Sequence, residues 1–507
     1  MFDFFPFIFS AFLVGLGLHL LLKAFAKQEP ANLPHGSMGL PLVGETLGFL
    51  KPHRSNSMGS FLQQHCSRYG RVFKSHLFGS PTIVSCDHEL NMLILQTEEK
   101  LFQVSYPKAM HGILGKFSMI IVSGDIHKKL RNIGASFITA SKSNPEFLNC
   151  VENMTTSMMN SWKNCDQIGF CKEVKKVGVG LSGVTYTLRF LYVSASCISA
   201  YVKIYFPWKQ FTLNLMVKHL LSIEPEEPLA FKILEDFLTY MKGFVSLPVY
   251  LPGTAYASAV KARARLSATV RGIIKERQKE QSRHGKGDFL DAVLSKESLS
   301  DEETVSVVLD LLLAGYETTA TLTSLIVYFL ALYPNVLQHL KREHDAIREN
   351  KRKGEPLNWE DYQKMEFTGN VIYESMRCGN VVKFLHRVAL QDVKFKGYFI
   401  PAGWKILPML TAVHFDPSLH EDPMEFNPWR WTDKATTKKV MPFGGGPRLC
   451  PGADLAKVEI AFFLHHLVLN YRWKTMADDF PLAYPYVEFK RGLLLEIEPI
   501  QDMAGNI

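Results

Sequence analysis

One apolar segment of more than thirty residues limits the architectures open to this chain. It runs from Ser300 to Pro334 and reads SDEETVSVVLDLLLAGYETTATLTSLIVYFLALYP. Ser300 and Glu303 match the S-x-x-E pattern of a capping box, and Pro334 marks a helix stop. A helix of this length measures roughly 50 Å at about 1.5 Å per residue. Because polar residues interrupt it, we expect it to run through the centre of the folded body, not across a membrane.

The rest of the chain predicts one large body around that helix. Short strand patterns alternate with long helical ones from about residue 59, and helical patterns dominate after residue 140. The stretch RVFKSHLFGSPTIVSC predicts a β-hairpin whose turn is Gly79-Ser80-Pro81. No internal repeat or boundary divides residues 59–507. The predicted fold class is therefore mainly α with smaller β-sheets (α+β).

The N-terminus predicts a membrane anchor; the alternative, a cleaved signal peptide, would need a basic leader and a shorter apolar run. Phe4–Leu22 is a 19-residue, almost wholly apolar run, which is about the length that crosses a bilayer core. Lys23 and Lys27 follow it, and positive charge after the span places the body on the cytosolic side. We therefore assign residues 1–27 to an anchor and the turn-rich residues 28–58 to a hinge and entry segment.

Residues 177–210 differ in composition from their surroundings. They contain no acidic residue, and seven of the 34 are aromatic. Joining the flanks gives FCKEVKKFTLNLMVKHLLS, a continuous amphipathic helical pattern, so the segment is interpreted as a retained intron or a gene-model error. Its Gly178-x-Gly180-x-x-Gly183 resembles a dinucleotide fingerprint but lacks the acidic residue that such a site needs.

Charge and cysteine usage exclude several classes of protein. The net charge of +8 comes without the dense Lys/Arg tract of a nucleic-acid binder. Eight cysteines include no C-x-x-C pair, which indicates neither a zinc site nor a disulfide framework. They are typical of thiols in a reducing compartment.

One of those cysteines lies in an unusual loop. Cys450 stands in MPFGGGPRLCPG, directly before an amphipathic helical pattern. Glycines allow a turn that residues with a Cβ could not make, and unpaired N–H groups at a helix start favour a thiolate. The pattern suits an anionic sulfur that a large, flat ligand approaches closely. A buried structural cysteine is the alternative.

Two other clusters have equally open readings when taken alone. In the long helix, Gly315 removes side-chain bulk and Glu317 can supply protons. Thr318 can bond the preceding turn's carbonyl and is expected to open the helix locally. The alternative is that the small residues only allow close packing of the helix and that Glu317 is a solvent-exposed acid. Glu374 and Arg377 share a helix face and can pair, and Arg430 of FNPWRW can join them in a buried network.

Taken together, these motifs resemble those of the cytochrome P450 family, the haem-thiolate monooxygenases. A-G-x-E-T-T, E-x-x-R, F-N-P-W-R and F-x-x-G-x-R-x-C-x-G occur in the family's order, outside the anchor and residues 177–210. The last motif is matched at Phe443, Gly446, Arg448, Cys450 and Gly452. The resemblance implies haem b with Cys450 as its axial thiolate, and no bound flavin or NAD(P).

The resemblance also implies roles for the remaining residues. Phe443 and the glycine loop shield the sulfur, and Gly315 lets the flat ligand lie against the helix. Haem propionates are expected to contact Arg448, Arg131, Arg387 and His127, where His127 replaces the family's usual tryptophan. Glu374, Arg377 and Arg430 correspond to a structural triad. Glu317 and Thr318 correspond to the proton-delivery pair for dioxygen.

The family further implies partners and a location. Electrons are expected from NADPH–cytochrome P450 reductase, through a basic face near Lys128, Lys129 and Lys457. Plain solubility explains these lysines equally well. The body is expected on the cytosolic side of the endoplasmic reticulum membrane, in contact with membrane lipid, and with no nucleic-acid partner.

Longer stretches resemble plant steroid hydroxylases of brassinosteroid synthesis, especially the 22-hydroxylase type. These include KLFQVSYPKAMHGILGKFSMIIVSGDIHKKLR and GNVVKFLHRVAL. Hydroxylation at C-22, on the side chain of a sterol, is therefore expected, with Val381, Val382, Phe384 and Leu494 as apolar pocket walls. These four could equally be core. Another triterpenoid or sterol hydroxylase, or a haem-thiolate protein that binds without turnover, remains an alternative.

Overall fold

The structure is a computed structural model of the chain. It describes residues 31–40, 43–171, 208–279, 287–295, 299–352, 354–476, 478–484 and 486–500, together with Phe12 and residues 15–17. The predicted anchor, residues 1–27, lies almost wholly outside the described residues. So does the segment 177–210, apart from its last three residues.

The described chain is mainly α-helical, as predicted. The helices are α1 (Thr46–Phe49), α2 (Gly59–Tyr69), α3 (His88–Gln96), α4 (Lys108–Leu114), α5 (Gly124–Ser141), α6 (Pro145–Asn160), α7 (Trp208–Leu221), α8 (Pro228–Met241), α9 (Ala255–Lys279), α10 (Phe289–Leu294), α11 (Asp301–Leu332), α12 (Pro334–Glu349), α13 (Trp359–Gln363), α14 (Glu366–Gly379), α15 (Leu410–His414) and α16 (Ala453–Asn470). Short 3₁₀ turns occupy Lys242–Val245, Pro428–Thr432, Thr436–Lys439 and Gly446–Arg448.

Four small sheets complete the described fold. Their strands are β1 (His53–Arg54), β2 (Val72–Leu77), β3 (Ser80–Ser85), β4 (Phe102–Val104), β5 (Gln167–Gly169), β6 (Arg387–Ala389), β7 (Val393–Phe395), β8 (Tyr398–Ile400), β9 (Lys405–Pro408), β10 (Tyr471–Thr475), β11 (Pro481–Tyr484), β12 (Tyr486–Phe489) and β13 (Leu494–Pro499). The largest sheet has the order β2-β3-β9-β6-β4, with β3 and β9 parallel. The others are β1-β11-β12, β10-β13-β5 and β7-β8.

The long helix is confirmed as the centre of the body. Glu303 donates its N–H to Ser300 Oγ, and Ser300 donates its N–H to the Glu303 carboxylate, so both halves of the capping box form. Of the described helices, only α11 is long and apolar enough to span a bilayer, and 72% of its most apolar window is buried in protein. The helix is thus a core helix, and α7, α9, α14 and α16 pack against it.

The predicted hairpin forms, but its turn lies one residue earlier than predicted. Leu77 pairs with Ser80, so Phe78 and Gly79 make a two-residue turn, both with positive φ (51° and 75°). Such turns match the right-handed twist of the flanking strands. Ser80 and Pro81 therefore belong to β3.

The helix expected from the joined flanks of residues 177–210 does not include Phe170 and Cys171 in this chain. The backbone N–H of Phe170 donates to Leu493 O at 2.9 Å, and that of Cys171 donates to Gly492 O at 2.6 Å. Both residues thus extend the pairing of β5 with the chain at the start of β13. Helix α7, on the other flank, begins at Trp208.

Candidate active site

A cavity of about 360 Å³ separates the middle of α11 from the loop that carries Cys450. This volume lies within the usual range of small-molecule sites. The loop contributes Phe443, Gly444, Gly445, Arg448 and Cys450, and the helix contributes Ala314, Gly315 and Thr318. The structure therefore brings the cysteine motif and the A-G-x-E-T-T motif to opposite walls of one space.

Backbone geometry holds the Cys450 loop in place. Cys450 donates its N–H to Phe443 O at 3.0 Å, which closes the loop. Gly444 and Gly446 have φ of 75° and 63°, and a Cβ on Gly446 would collide with the carbonyl oxygen of Leu95. Glycine is therefore required at Gly446 both by conformation and by the close approach of α3.

Cys450 is a free cysteine that lines the cavity and is exposed to it. Burial raises its pKa, while the backbone N–H of Gly452 and the guanidinium of Arg131 lower it. The helix-start N–H that the sequence predicts near the sulfur is present. It is outweighed by burial, so the protein groups alone do not make this sulfur anionic. A bound cation can do so.

Glu374, Arg377 and Arg430 form one buried network. The Glu374 carboxylate accepts from Arg377 at 2.8 and 2.9 Å, from Arg430 at 3.0 Å, and from the indole N–H of Trp431 at 3.0 Å. Arg377 and Glu374 are fully buried. Arg377 also donates to His414 O, so the network joins α14 to α15 and to the chain before the Cys450 loop.

One wall of the cavity is cationic. Arg131, Arg387 and Arg448 line it, together with His127. Burial lowers the pKa of His127 to about 4, with a further lowering by the charges of Arg448 and Arg131, so this imidazole is neutral at neutral pH. A flat dianionic ligand whose acidic groups face this wall would find guanidinium donors there.

Sequence reasoning missed the acid behind this wall. Glu98 Oε1 accepts from Arg448 Nε at 2.7 Å, and Glu98 Oε2 lies 2.8 Å from Arg387 Nε. Arg448 additionally donates to Met119 O and Val122 O. Glu98 and Arg448 are 350 positions apart, so no local pattern could have indicated the contact.

The two residues expected to deliver protons face different ways. Thr318 is open to the cavity and donates its hydroxyl to Ala314 O at 2.6 Å, as its position predicts. The carboxylate of Glu317 instead contacts Lys209 of α7 at 2.8 Å, and Glu317 is not among the described residues that line the cavity. Helix α11 continues unbroken through both residues.

Gly315 lies where α7 crosses α11. A Cβ built on it would come within 2.7 to 3.1 Å of three side-chain atoms of Met216, so this side chain would have to shift. Thr212 Oγ1 donates to Tyr316 O at 3.1 Å beside this crossing. Gly315 therefore serves helix packing as well as lining the cavity.

Comparison with known proteins identifies the family. The family profile described as Cytochrome P450 matches residues 224–501, which is more than half of the chain. The chain belongs to the cytochrome P450 family. A retinoic acid-bound cyanobacterial P450, CYP120A1, has the same fold, with a TM-score of 0.76, 24% identity, and coverage of 93% of this chain and 100% of that one.

Among curated relatives, Cytochrome P450 724B1 of Oryza sativa subsp. japonica is 54% identical over 499 residues, covering 96% of each chain. Cholesterol 22-monohydroxylase CYP90B52 of Paris polyphylla is 42% identical over 496 residues, covering 96% of this chain and 98% of the relative. Steroid (22S)-hydroxylase of Oryza sativa subsp. japonica is 41% identical over 487 residues, covering 94% and 90%. The protein is thus a P450 monooxygenase related to plant sterol hydroxylases.

Membership of the family means that the protein binds haem through an axial cysteine thiolate and uses a redox partner, O₂ and an organic substrate. The described site fits this group. Cys450 presents its sulfur to the cavity, the glycine-rich loop allows close approach, and a cationic wall faces the space that two propionates would need.

Two of the four predicted pocket residues line the P450 cavity and two do not. Val381 and Val382 do. Phe384 does not, because it packs edge-to-face on Phe49, with ring centroids 5.1 Å apart, in a separate cluster. Leu494 does not either, because it lies in β13 opposite Gly169. The described cavity therefore includes neither Phe384 nor Leu494, and a pocket role for them stays a prediction.

The apolar wall comes largely from residues that the sequence did not single out. Met119, Ile120, Met216, Leu311 and Leu385 line the cavity. Leu311 could have been found, since it lies seven residues before Thr318 on the same helix face. The two acids in the lining, Asp310 and Glu459, are both buried, and burial raises the pKa of Asp310 to about 7 and that of Glu459 to about 8.

The three lysines predicted on the basic face are all in ion pairs. Lys128 lies 3.4 Å from Asp125, Lys129 contacts Glu303 at 3.0 Å, and Lys457 contacts Asp454 at 2.9 Å. Lys128 and Lys129 remain 63% and 44% exposed, whereas Lys457 is largely covered at 17%. Of these three lysines, the two on α5 are therefore the more exposed.

Proposed function

We propose that the protein hydroxylates a plant sterol on its side chain, at C-22, as a step of brassinosteroid biosynthesis. The observation that carries the proposal is the apolar cavity between Cys450 and α11, in a protein more than 40% identical to proteins named as 22-hydroxylases of cholesterol and steroids. The cationic wall would serve the haem propionates, and the part of the lining formed by Met119, Ile120, Met216 and Leu311 is apolar and suits a rigid, almost wholly apolar substrate.

The residues around the cavity would have different roles in the reaction. Haem, when bound, supplies the oxygen chemistry, and its thiolate ligand favours O–O cleavage. Arg131, Arg387 and Arg448 would hold the propionates through charge-assisted hydrogen bonds. Val381 and Val382 would position the sterol side chain and exclude water from it.

Thr318 and Glu317 would deliver protons to dioxygen. The Thr318 hydroxyl is exposed to the cavity, and its oxygen retains acceptor capacity beyond the bond that it donates to Ala314. Glu317, one residue earlier, has its carboxylate on Lys209. A rotation of this side chain away from Lys209 would bring a carboxyl group towards the Thr318 side of the helix, where it could exchange protons with the hydroxyl.

The proposal includes a membrane location and NADPH–cytochrome P450 reductase as electron donor. Residues 1–27 would anchor the protein in the endoplasmic reticulum membrane, residues 28–58 would form the hinge and entry segment, and residues 59–507 would form the cytosolic catalytic body. Between α8 and α9, large apolar side chains are exposed at Val245, Leu247, Val249, Tyr250 and Leu251. Exposed apolar runs of this kind are typical of membrane or protein contact sites.

Coexpression of the full-length protein with the reductase tests the function. Microsomes supplied with NADPH and either campesterol or cholesterol should form a product with one added oxygen, which fragmentation in mass spectrometry places at C-22 of the sterol. Cys450→Ser should abolish both the product and the carbon-monoxide spectrum of thiolate-ligated haem. Hydroxylation on the rings, or only of other triterpenoids, would refute the C-22 proposal. An intact spectrum without any turnover would favour a binding protein.

A further inference from the structure

Glu98 is a buried acid behind the cavity wall. Its side chain is 1% exposed, and it follows α3 at the point where the backbone turns into β4. Besides contacting Arg448 and Arg387, its Oε1 accepts the backbone N–H of Val104 at 3.1 Å. Val104 pairs directly with Arg387 in the β4–β6 ladder, so backbone and side-chain contacts place the acid against both arginines.

Arg387 keeps donors for a further partner. A guanidinium has five N–H groups. Arg387 donates from Nη1 to His386 O, its Nε lies 2.8 Å from Glu98 Oε2 without hydrogen-bond geometry, and no described residue accepts from its Nη2. Since Arg387 lines the cavity, these donors are available there. Glu98 thus lies beside the Nε side of the Arg387 guanidinium, and the Nη2 side remains available to a ligand in the cavity.

The charges at this wall match those of the ligand. Arg131, Arg387 and Arg448 carry three positive charges, Glu98 carries one negative charge, and His127 is neutral. The wall therefore has two net positive charges, and the two propionates of haem b carry two negative ones. Without Glu98, a buried arginine charge would lack a partner in the holoprotein, and such unpaired charges are costly.

We propose that Glu98 is a positioning residue of the haem site, which orients Arg387 and Arg448 towards the propionates and balances the charge of the cationic wall. The inference rests on the proposed role of the arginines, and it assigns to Glu98 a measurable effect on haem electronics. A negative charge near the haem disfavours the added electron, so Glu98 lowers the reduction potential of the iron, and the arginines raise it.

Midpoint potentials of the full-length, haem-loaded protein test this assignment. Spectroelectrochemical titration should show a positive shift in Glu98→Gln, which removes one negative charge without changing the side chain's shape. Arg387→Gln should shift the potential in the opposite direction. The double variant restores two net positive charges, so its potential should return close to that of the wild type. It should also retain haem better than Glu98→Gln, because no guanidinium is left without a counter-charge.

Glu99→Gln is the matched control. Glu99 accepts the N–H of Gly124 and lies 3.7 Å from Lys128, with 27% of its side chain exposed. Its charge is paired away from the arginines and screened by solvent, so the shift should be much smaller. Glu98→Asp, which keeps the charge, should stay nearer the wild-type potential than Glu98→Gln.

Three results would overturn the inference while leaving the proposed function intact: an unchanged potential in Glu98→Gln, a negative shift in that variant, or a double variant no closer to the wild type than the single ones. If Glu98→Gln does not fold, the double variant still decides the question. A wild-type protein that binds no haem would overturn the proposed function, and this inference with it.

Discussion

At the residue scale, the carboxylate of Glu374 shows how a buried charge is tolerated. Two arginines, the indole of Trp431 and the backbone N–H of Asn427 all donate to it, so its two oxygens are fully used. Burial by itself would raise the pKa of this acid, but the hydrogen bonds and charges of Arg377 and Arg430 lower it below its ordinary value. The acid is therefore ionised in the folded protein at neutral pH.

Glu374→Gln should destabilise the protein by about 3 to 5 kcal/mol, because it leaves a fully buried guanidinium without its counter-charge. The depressed pKa means that the contribution of Glu374 is present above the ordinary pKa of the acid and is lost as pH falls through the lower, folded-state pKa. Urea titrations followed by the haem spectrum should show the loss at neutral pH. A variant as stable as the wild type there would contradict this reading of the network.

Asp310 has the opposite tendency. Its carboxylate accepts from Ser118 Oγ at 2.7 Å and from the N–H of Met119 at 2.6 Å, which ties the loop after α4 to α11. Burial raises its pKa to about 7, although these two hydrogen bonds and the charge of Arg263 oppose the rise.

Because the folded state holds this proton more tightly than the unfolded protein, Asp310 should make stability fall as pH rises from about 4 through about 7. Between about pH 5 and about pH 7 the loss should amount to about 2 to 3 kcal/mol. Asp310→Asn cannot ionise, so the urea midpoint of this variant should depend less on pH over that window than the wild-type midpoint. Parallel curves for the two proteins would show that Asp310 does not titrate there.

At the element scale, the crossing of α7 and α11 depends on the absence of one side chain. Met216 occupies the space that a Cβ on Gly315 would need. The two helices also share the Thr212–Tyr316 hydrogen bond and the Lys209–Glu317 ion pair. Since Gly315 also lines the cavity, a change in this crossing would also change the shape of the cavity.

Gly315→Ala should destabilise the protein by about 1 to 3 kcal/mol, the usual cost of overpacking a close contact. Met216→Ala truncates a buried side chain and costs stability by itself, but the double variant should lose less than the sum of the two single changes, because the truncation makes room for the new methyl group. Gly272→Ala is the matched control, since a Cβ at Gly272 in α9 meets nothing within 4 Å. That change should be neutral or stabilising by about 0.5 to 1 kcal/mol, as expected for glycine replaced in a helix. Equal effects at Gly315 and Gly272 would rule out the packing argument.

At the scale of the whole molecule, we propose that residues 177–210 come from a retained intron or a gene-model error and are not part of the natural protein. Lys209, which pairs with Glu317, belongs to that segment. If residues 177–210 are removed, the residue two positions before Phe211 becomes Lys175. The shortened protein therefore carries lysine at the helix position that contacts Glu317, as expected if the join restores the natural helix.

A protein lacking residues 177–210 should incorporate more haem per polypeptide than the full-length protein. Lys175→Met in that shortened protein should weaken it by up to about 1 kcal/mol, as for other partly exposed ion pairs, and Lys209→Met should have a similar effect in the full-length protein. Haem content from the carbon-monoxide difference spectrum measures the first effect, and urea titration measures the second. Sequencing the transcript across the junction tests the origin directly, and a spliced message that still encodes the segment would refute the proposal.

A local pattern, the capping box with a closing proline, was sufficient to predict the central helix. Local patterns left the Cys450 loop and the Glu374 network open, and the resemblance to the P450 family assigned them, including Arg430, which lies 56 positions from Glu374. Sequence reasoning could not supply contacts that are made only when distant segments pack.

Glu98 meets Arg448 across 350 positions, and Lys209 meets Glu317 across 108. Packing also determines that Phe384 contacts Phe49 while Val382 and Leu385 line the cavity, since the chain bends at residues 381–382 and does not follow the alternation of a regular strand. Local pattern sets which chemistry the protein carries. The tertiary structure determines which side chains contact each other. Burial and charge pairing act between segments that are close in space, and these segments can lie far apart in sequence.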